Sequence, residues 1–462
     1  MQNTTLEEQQ QLIQATQPEV ILAAACKVGE GIIQIDSLKA KELRQRFYYA
    51  TVSSAYFVPA SGSGSRMFQF LFEFLTNPTE ENRGAVERFL NHIEDFAFFY
   101  QFPSEIQSQL RERTMDIDAF VAYILNNKGM GLAHLPKGLV PFHKHGPFLL
   151  NPFHEHVLQG MEVTNNTCEF HFTIQQAFQA IIEAQLKPLE ALTGKKIKVS
   201  YSIQNPETDA YTFDSAGQVV LNSEDVPLKR PAGHGALLSN LGQVNADLLF
   251  VKNIDNVQHI QQAEISIHTQ QMLAGLLLEI QEEIERILEQ PTKEAIEQFN
   301  QTYQFVHPKA LNAMDLAEAS ALLRAPIRVC GMVRNEGQSG GGPFWIEENG
   351  NISKQIIEKA QINMRGDQYR VMIQSTHFNP VLMVCEGRKK SGEEIDFEQY
   401  KDNSKYFIVH KKHQGKDIRY IELPGLWNGS MANWNSVFVE VPSATFSPVK
   451  TILDLLEGTH RS

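Results

Sequence analysis

The run Ala60-Ser61-Gly62-Ser63-Gly64-Ser65 leads into Arg66-Met67. Two glycines one residue apart let the backbone turn tightly and approach a ligand with no Cβ in the way. If a helix opens near Arg66, the loop N–H groups and the helix dipole favour a phosphate, and the Arg66 guanidinium adds a cation with several donors. No Gly-Lys-Ser/Thr follows, so this is not a Walker A loop, and the third glycine of a dinucleotide fingerprint is missing. A plain glycine turn explains the run equally well. Further on, Leu135-Pro136-Lys137-Gly138-Leu139-Val140-Pro141-Phe142 puts a lysine between prolines. Proline fixes the backbone that aims such a cation.

An apolar stretch, Leu248-Leu249-Phe250-Val251, runs on to Asp255-Asn256. A carboxylate at the C-terminal end of a strand lies where open α/β sheets bind ligands, although an aspartate capping a turn fits too. Upstream is a second small-residue loop, Gly233-His234-Gly235-Ala236. Asn335-Glu336-Gly337-Gln338-Ser339-Gly340-Gly341-Gly342 can be a loop over an anion or sugar, with Glu336 bonding hydroxyls, or a surface hairpin. Trp427-Asn428 and Trp434-Asn435 have the composition of a sugar platform or of a loop closed by its own amides. His143, His145, His154 and His156 form two H-x-H pairs. In a helix, the second pair would point to different faces, and no zinc site is expected there.

These residues need a scaffold. Of 462 residues, 42% are hydrophobic and 21% charged, which is globular composition. The balance of 41 basic against 54 acidic side chains leaves −13, with no basic face for nucleic acid. Cys26, Cys168, Cys330 and Cys385 are too scattered for a disulfide framework or zinc ribbon and read as buried thiols. No leader segment or membrane-length apolar run is evident, so a cytoplasmic protein without a membrane partner is expected.

Residues 6–46 read as helical with a break at Gly29–Gly31, and 51–59 as a strand delivering the chain to the glycine loop. Short strands are expected at 197–203, 219–221, 247–254, 327–333, 370–373, 381–384, 406–409, 419–421 and 437–441, with a long helical stretch over 265–304. The alternation predicts one α/β domain with insertions. It divides into an N-terminal helical extension (1–50), a core (51–325) whose helical insertion occupies about 260–325, and a strand-rich last part (326–462) that completes the same sheet and the acceptor pocket.

Gly62-Ser63-Gly64-Ser65-Arg66-Met67, then Pro136-Lys137-Gly138-Leu139-Val140-Pro141, then His156-Val157-Leu158 resemble, in order, three elements of the sugar-1-phosphate nucleotidyltransferases. The strand end at Asp255-Asn256 and the Gly233–Gly235 loop look like those of the UDP-sugar pyrophosphorylases. The phrases Phe57-Val58-Pro59-Ala60-Ser61-Gly62 and Leu423-Pro424-Gly425-Leu426-Trp427-Asn428-Gly429 look like a bacterial family carried as a domain of unknown function. The nucleotidyltransferase resemblance covers mainly residues 51–256 and implies a Rossmann-like mixed sheet of GT-A type with helices on both faces. It implies a Mg²⁺-dependent enzyme joining a nucleoside triphosphate to a sugar-1-phosphate. Arg66, Lys137 and Asp255 would be catalytic, with Asp255 also the metal ligand. Ser61, Gly62, Ser63, Gly64, Ser65, Gly233, His234 and Gly235 would hold the nucleotide, and Glu336, Gly341, Trp427, Asn428 and Asn435 the acceptor. A non-catalytic nucleotide-binding protein and a glycosyltransferase are the alternatives.

Overall fold

Seven of the eight residues of the strand Ile327–Arg334 are buried, because β-branched and sulfur-bearing side chains fill both of its faces. In the computed structural model, residues 5–15, 19–165, 168–231, 233–337, 340–348, 350–363, 366–413 and 415–461 are described. They divide into two units. The first comprises 1–55, 204–251 and 270–442, and the second 56–203, 252–269 and 443–462.

In the first unit, Ile327–Arg334 pairs in parallel with Asn435–Glu440 and antiparallel with Leu382–Glu386. Gly31–Ile33 extends the sheet beyond Asn435–Glu440, and Leu248–Lys252 lies beyond Leu382–Glu386. The helix Ser37–Tyr49 covers it through Phe47, which meets Phe250 edge-on. That helix meets Glu264–Glu289 where Gly275 lies against the Leu43 carbonyl, and Lys39 pairs with Glu279 at 2.6 Å. Glu264–Glu289, Lys293–Tyr303, Pro308–Ala313 and Leu316–Leu323 follow one another as helices. A separate antiparallel sheet joins Ile21–Ala25, Gly342–Glu348 and Asn351–Ile357.

Residues 219–221, expected as a strand, make only isolated bridges, from Val219 to Phe213 and from Leu221 to Pro227, and two further local expectations give way here. Residues 21–25 are a strand although their alanines favour helix, because Gly342–Glu348 offers a partner more than three hundred residues away. Residues 370–373 fall in the exposed helix Asp367–Met372 and its C-cap, a short apolar run whose period is ambiguous by itself. The expected strands near 327, 381, 406, 419 and 437 are present as Ile327–Arg334, Leu382–Glu386, Phe407–His413, Lys416–Glu422 and Asn435–Glu440. Both units are mixed α/β.

In the second unit, most of Ser54–Pro59 neighbours Cys168–Thr173, which pairs in parallel with Lys198–Ser202. The helix Pro152–Val163 begins at a reciprocal cap between Asn151 and His154, with Pro152 in its first turn. It lies on these strands through Phe153 against Phe172, and Gly160 lets Phe170 and Tyr56 approach its backbone. A phenylalanine-rich core (Phe68, Phe89, Phe96, Phe98, Phe99, Phe102 and Phe120) gathers the helices Gln69–Thr76, Glu80–Asn91 and Ile117–Leu125. Val449, Ile452 and Leu455 enter the same core from the C-terminal segment.

A Cβ on Gly275 would stand 1.9 Å from the Leu43 carbonyl oxygen, a backbone atom that no rotamer change can move. Gly275→Ala is expected to destabilise the protein by about 1–3 kcal/mol, read as a lowered urea midpoint; an unchanged midpoint would contradict this packing.

Candidate active site

In the second unit, the glycine loop and the proline-flanked lysine are joined by an isolated antiparallel bridge between Ser63 and Pro136. The Gly64 N–H donates to Leu135 O at 2.9 Å, and the Lys137 N–H donates to Gly62 O at 3.0 Å. A Cβ on Gly64 would stand 2.9 Å from Leu135 O, so this close approach requires glycine. Within the loop, Ser65 N–H donates to Ser63 Oγ. The N–H groups of Gly62 and Ser63 keep no acceptor among the described residues. The chain then enters a tight turn, Ser65–Phe68, before the helix Gln69–Thr76 begins, so Arg66 stands one turn ahead of that helix. Arg66 is exposed and makes no ion pair among the described residues.

Lys137 Nζ donates to Asp255 Oδ2 at 2.9 Å and to Val449 O at 3.0 Å. Lys450 Nζ reaches the same Oδ2 at 2.9 Å. Two lysines and one carboxylate, brought from three distant stretches of chain, thus share a single oxygen. Burial pushes the Asp255 carboxyl up, but Lys137 and Lys450 outweigh it and hold the group below its ordinary value. The backbone locks the arrangement: Val449 N–H donates to Asp255 O at 3.0 Å, and Ser447 N–H to Asn256 Oδ1 at 3.0 Å. Below lies His156, whose Nε2 bonds Ile254 O at 3.3 Å, with buried Lys252 nearby. Burial alone lowers Lys252 to about 8, while burial and then Lys252 hold His156 down to about 3.

Lys450 was not among the residues that sequence reasoning singled out. Its signal was Pro448-Val449-Lys450, a cation set just after a proline as in Pro136-Lys137.

The remaining candidates lie in the first unit. His234 stacks on Trp427 with ring centroids 4.0 Å apart and planes at 10°, and its Nδ1 accepts from Leu426 N–H at 2.8 Å. Gly235 lies against the Pro424 carbonyl and Gly233 against Glu422. Asn428 donates to Glu358 at 3.2 Å, and Asn435 to Leu322 O at 2.9 Å. Gly341 lies against Ile356, and Glu336 is exposed. Residues 233–235 and 422–428 therefore complete one another, as do Asn435 and the end of the helix Leu316–Leu323. Gln338 and Ser339 lie outside the described residues.

Among the described residues, no group of three or more His, Cys, Asp or Glu side chains is placed to hold a metal ion. No described helix is long and apolar enough to cross a membrane. All four cysteines are free and buried.

The fold and site define an α/β protein with a cationic pair on a buried carboxylate beside a glycine loop. The chain belongs to the family described as "Domain of unknown function (DUF4301)", which it matches over residues 1–461. No curated protein matches it. Among solved structures, it is similar to a UDP-glucose phosphorylase from Trypanosoma brucei at 12% identity and a TM-score of 0.44, covering 95% of this chain and 69% of that one. It is also similar to a structure assigned as a UDP-N-acetylglucosamine pyrophosphorylase from Entamoeba histolytica, at 11% identity and a TM-score of 0.45, covering 93% of this chain and 85% of that one.

The buried histidines set a pH response. His143, His156 and His460 are held neutral, each down to about 3 by burial, whereas unfolded histidine takes a proton below its ordinary 6.5. Glu155, raised to about 7 by burial, acts oppositely, since the folded form holds its proton over a range where the unfolded form has lost it. Three groups outweigh one, so the unfolded state binds more protons and stability falls with acidification. The melting temperature is expected to drop from about pH 7 to about pH 5; a level or rising value would contradict this burial.

Proposed function

We propose that the second unit carries the phosphate-handling centre of a Mg²⁺-dependent nucleotidyltransferase, which joins a nucleoside triphosphate to a sugar-1-phosphate and releases pyrophosphate. The observation that supports this reading is the meeting of Lys137 and Lys450 on Asp255 beside the glycine loop. Two ammonium groups on one carboxylate leave a net positive charge. A polyphosphate offers the lysines the same kind of contact with more negative charge, so it can draw them from Asp255.

No protein nucleophile is required. An oxygen of the sugar phosphate attacks the α-phosphorus in line, and the bond to the departing pyrophosphate breaks. Lys137 and Lys450 neutralise the charge that develops on that leaving group, and the free N–H groups of Gly62 and Ser63 orient its oxygens. Arg66, unpaired and exposed, adds a third cation at the mouth of the loop. Magnesium binds through one or two carboxylates with phosphate oxygens and water, and Asp255 fits through Oδ1, which accepts from neither lysine. When bound, the ion supplies Lewis-acid polarisation of a phosphoryl oxygen. The motif resemblance to sugar nucleotidyltransferases supports the substrate class.

Pyrophosphate release is followed with Mg²⁺, each nucleoside triphosphate in turn and a panel of sugar-1-phosphates. Turnover is expected, reduced by about 10²–10³ in Lys137→Ala, Lys450→Ala and Asp255→Ala. Nucleotide binding without turnover would overturn the enzyme in favour of a binding protein, and transfer from a UDP-sugar in favour of a glycosyltransferase.

A further inference from the structure

Behind the candidate site, the second unit holds a line of three titratable side chains that the proposed reaction does not use. Glu155 Oε1 lies 2.7 Å from His143 Nδ1, and His143 Nε2 lies 2.9 Å from His460 Nδ1. Glu155 and the His143 side chain are wholly buried, and His460 is nearly so. No lysine or arginine pairs with Glu155 among the described residues; its second oxygen accepts from Gln159 Nε2 at 3.3 Å. His460 belongs to the same segment as Lys450.

The segment 443–461 is a short strap. At one end it is held to residues 255–258 through Val449 N–H, Ser447 N–H and the Gln258 amide, which donates to Ala444 O and Ser447 Oγ. Between Lys450 and His460 it forms two tight turns, Ile452–Leu456 and Gly458–His460. The first is closed by a reciprocal cap between Thr451 and Asp454 and plugged into the core by Ile452 and Leu455. A shift at His460 therefore passes to Lys450 through packed turns rather than slack chain.

Each of the two gaps in the line requires one proton. With Glu155 ionised, His143 Nδ1–H donates to it and His460 Nδ1–H donates to His143. With Glu155 protonated, its O–H donates to His143 Nδ1, and His143 Nε2–H donates to His460 Nδ1. Both histidines change tautomer together, and His460 Nε2 changes from acceptor to donor. His460 lines an open cavity of about 580 Å³ with Asp454, Glu457, Ser443 and Ser447, which gives protons a way in.

We propose that Glu155, His143 and His460 form a proton-linked clasp whose hydrogen bonds position Lys450 at the phosphate site. They are positioning residues, and their link to turnover rests on the nucleotidyl reading above. The other titratable groups around the line are His154 on the same helix, His145 on the adjoining hairpin, His259 after Asp255, and Asp454 and Glu457 on the strap. His259 is tied down, its Nε2 bonding Lys144 O at 3.3 Å and its Nδ1 accepting from Gln261 N–H at 3.2 Å. Burial brings Glu155 up to about 7 against the pull of His259, Gln159, His154 and His145, so its proton exchanges near neutrality.

The test compares the wild type with Glu155→Gln, His460→Leu and His460→Asn. In Glu155→Gln, Gln159 still donates to the residue's oxygen, which turns the new NH₂ toward His143 and imitates protonated Glu155. Ring ¹⁵N shifts are expected to show both histidines inverting tautomer together as the wild type is titrated through neutrality. In Glu155→Gln they remain pinned with the proton on His143 Nε2. His460→Asn keeps a polar atom at the Nδ1 position, so strap amides stay protected from hydrogen exchange and the KM for the triphosphate stays near wild type. His460→Leu loses both, with KM rising about tenfold, the scale of one lost hydrogen bond. Independent titration of the two rings, or an unchanged strap in His460→Leu, would overturn the clasp. The ring shifts and amide protection need no turnover, so an inactive protein would defeat the nucleotidyl reading while leaving the clasp to be judged on its own. If His460→Leu does not fold, Glu155→Gln and its tautomers decide.

Discussion

A carboxylate taken out of water must be met by cations or hydrogen-bond donors, and in this protein that demand falls on Asp255. Its side chain is one-tenth exposed and accepts two ammonium groups on one oxygen. The requirement draws the 136–139 turn, the end of the strand Leu248–Lys252 and the C-terminal strap to one point. Much of the second unit's detail follows from it. The Ser63–Pro136 bridge fixes where Lys137 emerges, and Val449 N–H on Asp255 O fixes where Lys450 emerges. Removing either lysine alone would leave the carboxylate with the other.

The first unit treats similar residue types differently. There, His234 and Trp427 use each other as stacking partners, and the glycines at 233 and 235 make room for the 422–426 backbone. A glycine-histidine-glycine loop and a tryptophan-asparagine loop each resemble ligand platforms in isolation. Set together, their polar atoms and flat faces are largely occupied within the chain. Composition cannot distinguish a face awaiting a ligand from one that has found a neighbour.

Elements with a strong local period were legible from the chain alone. The helical stretch after residue 264 was expected from its apolar spacing, and five late strands were expected as short apolar runs that are buried on both faces or paired in a sheet. Residues 21–25 and 367–372 were not legible. The first depends on a strand partner in Gly342–Glu348, and the second is an apolar run too short to reveal its period. Lys450 was missed for a related reason. One lysine in an ordinary polar stretch becomes notable only when folding sets it beside the carboxylate that Lys137 already meets.

By itself, the sequence determined that this chain has an α/β composition, a glycine turn shaped to approach something closely, a lysine stiffened by prolines and an aspartate at a strand's end. These follow from local chemistry, namely which residues tolerate a tight turn, which fix a backbone and which alternate in a strand. Only the tertiary structure decided that Asp255 has two lysines rather than one, that the His234 ring rests on Trp427, and that Glu155, His143 and His460 stand in one hydrogen-bonded line. Those are distances between groups far apart in the chain, and they are set by how the strands pair and how the cores close.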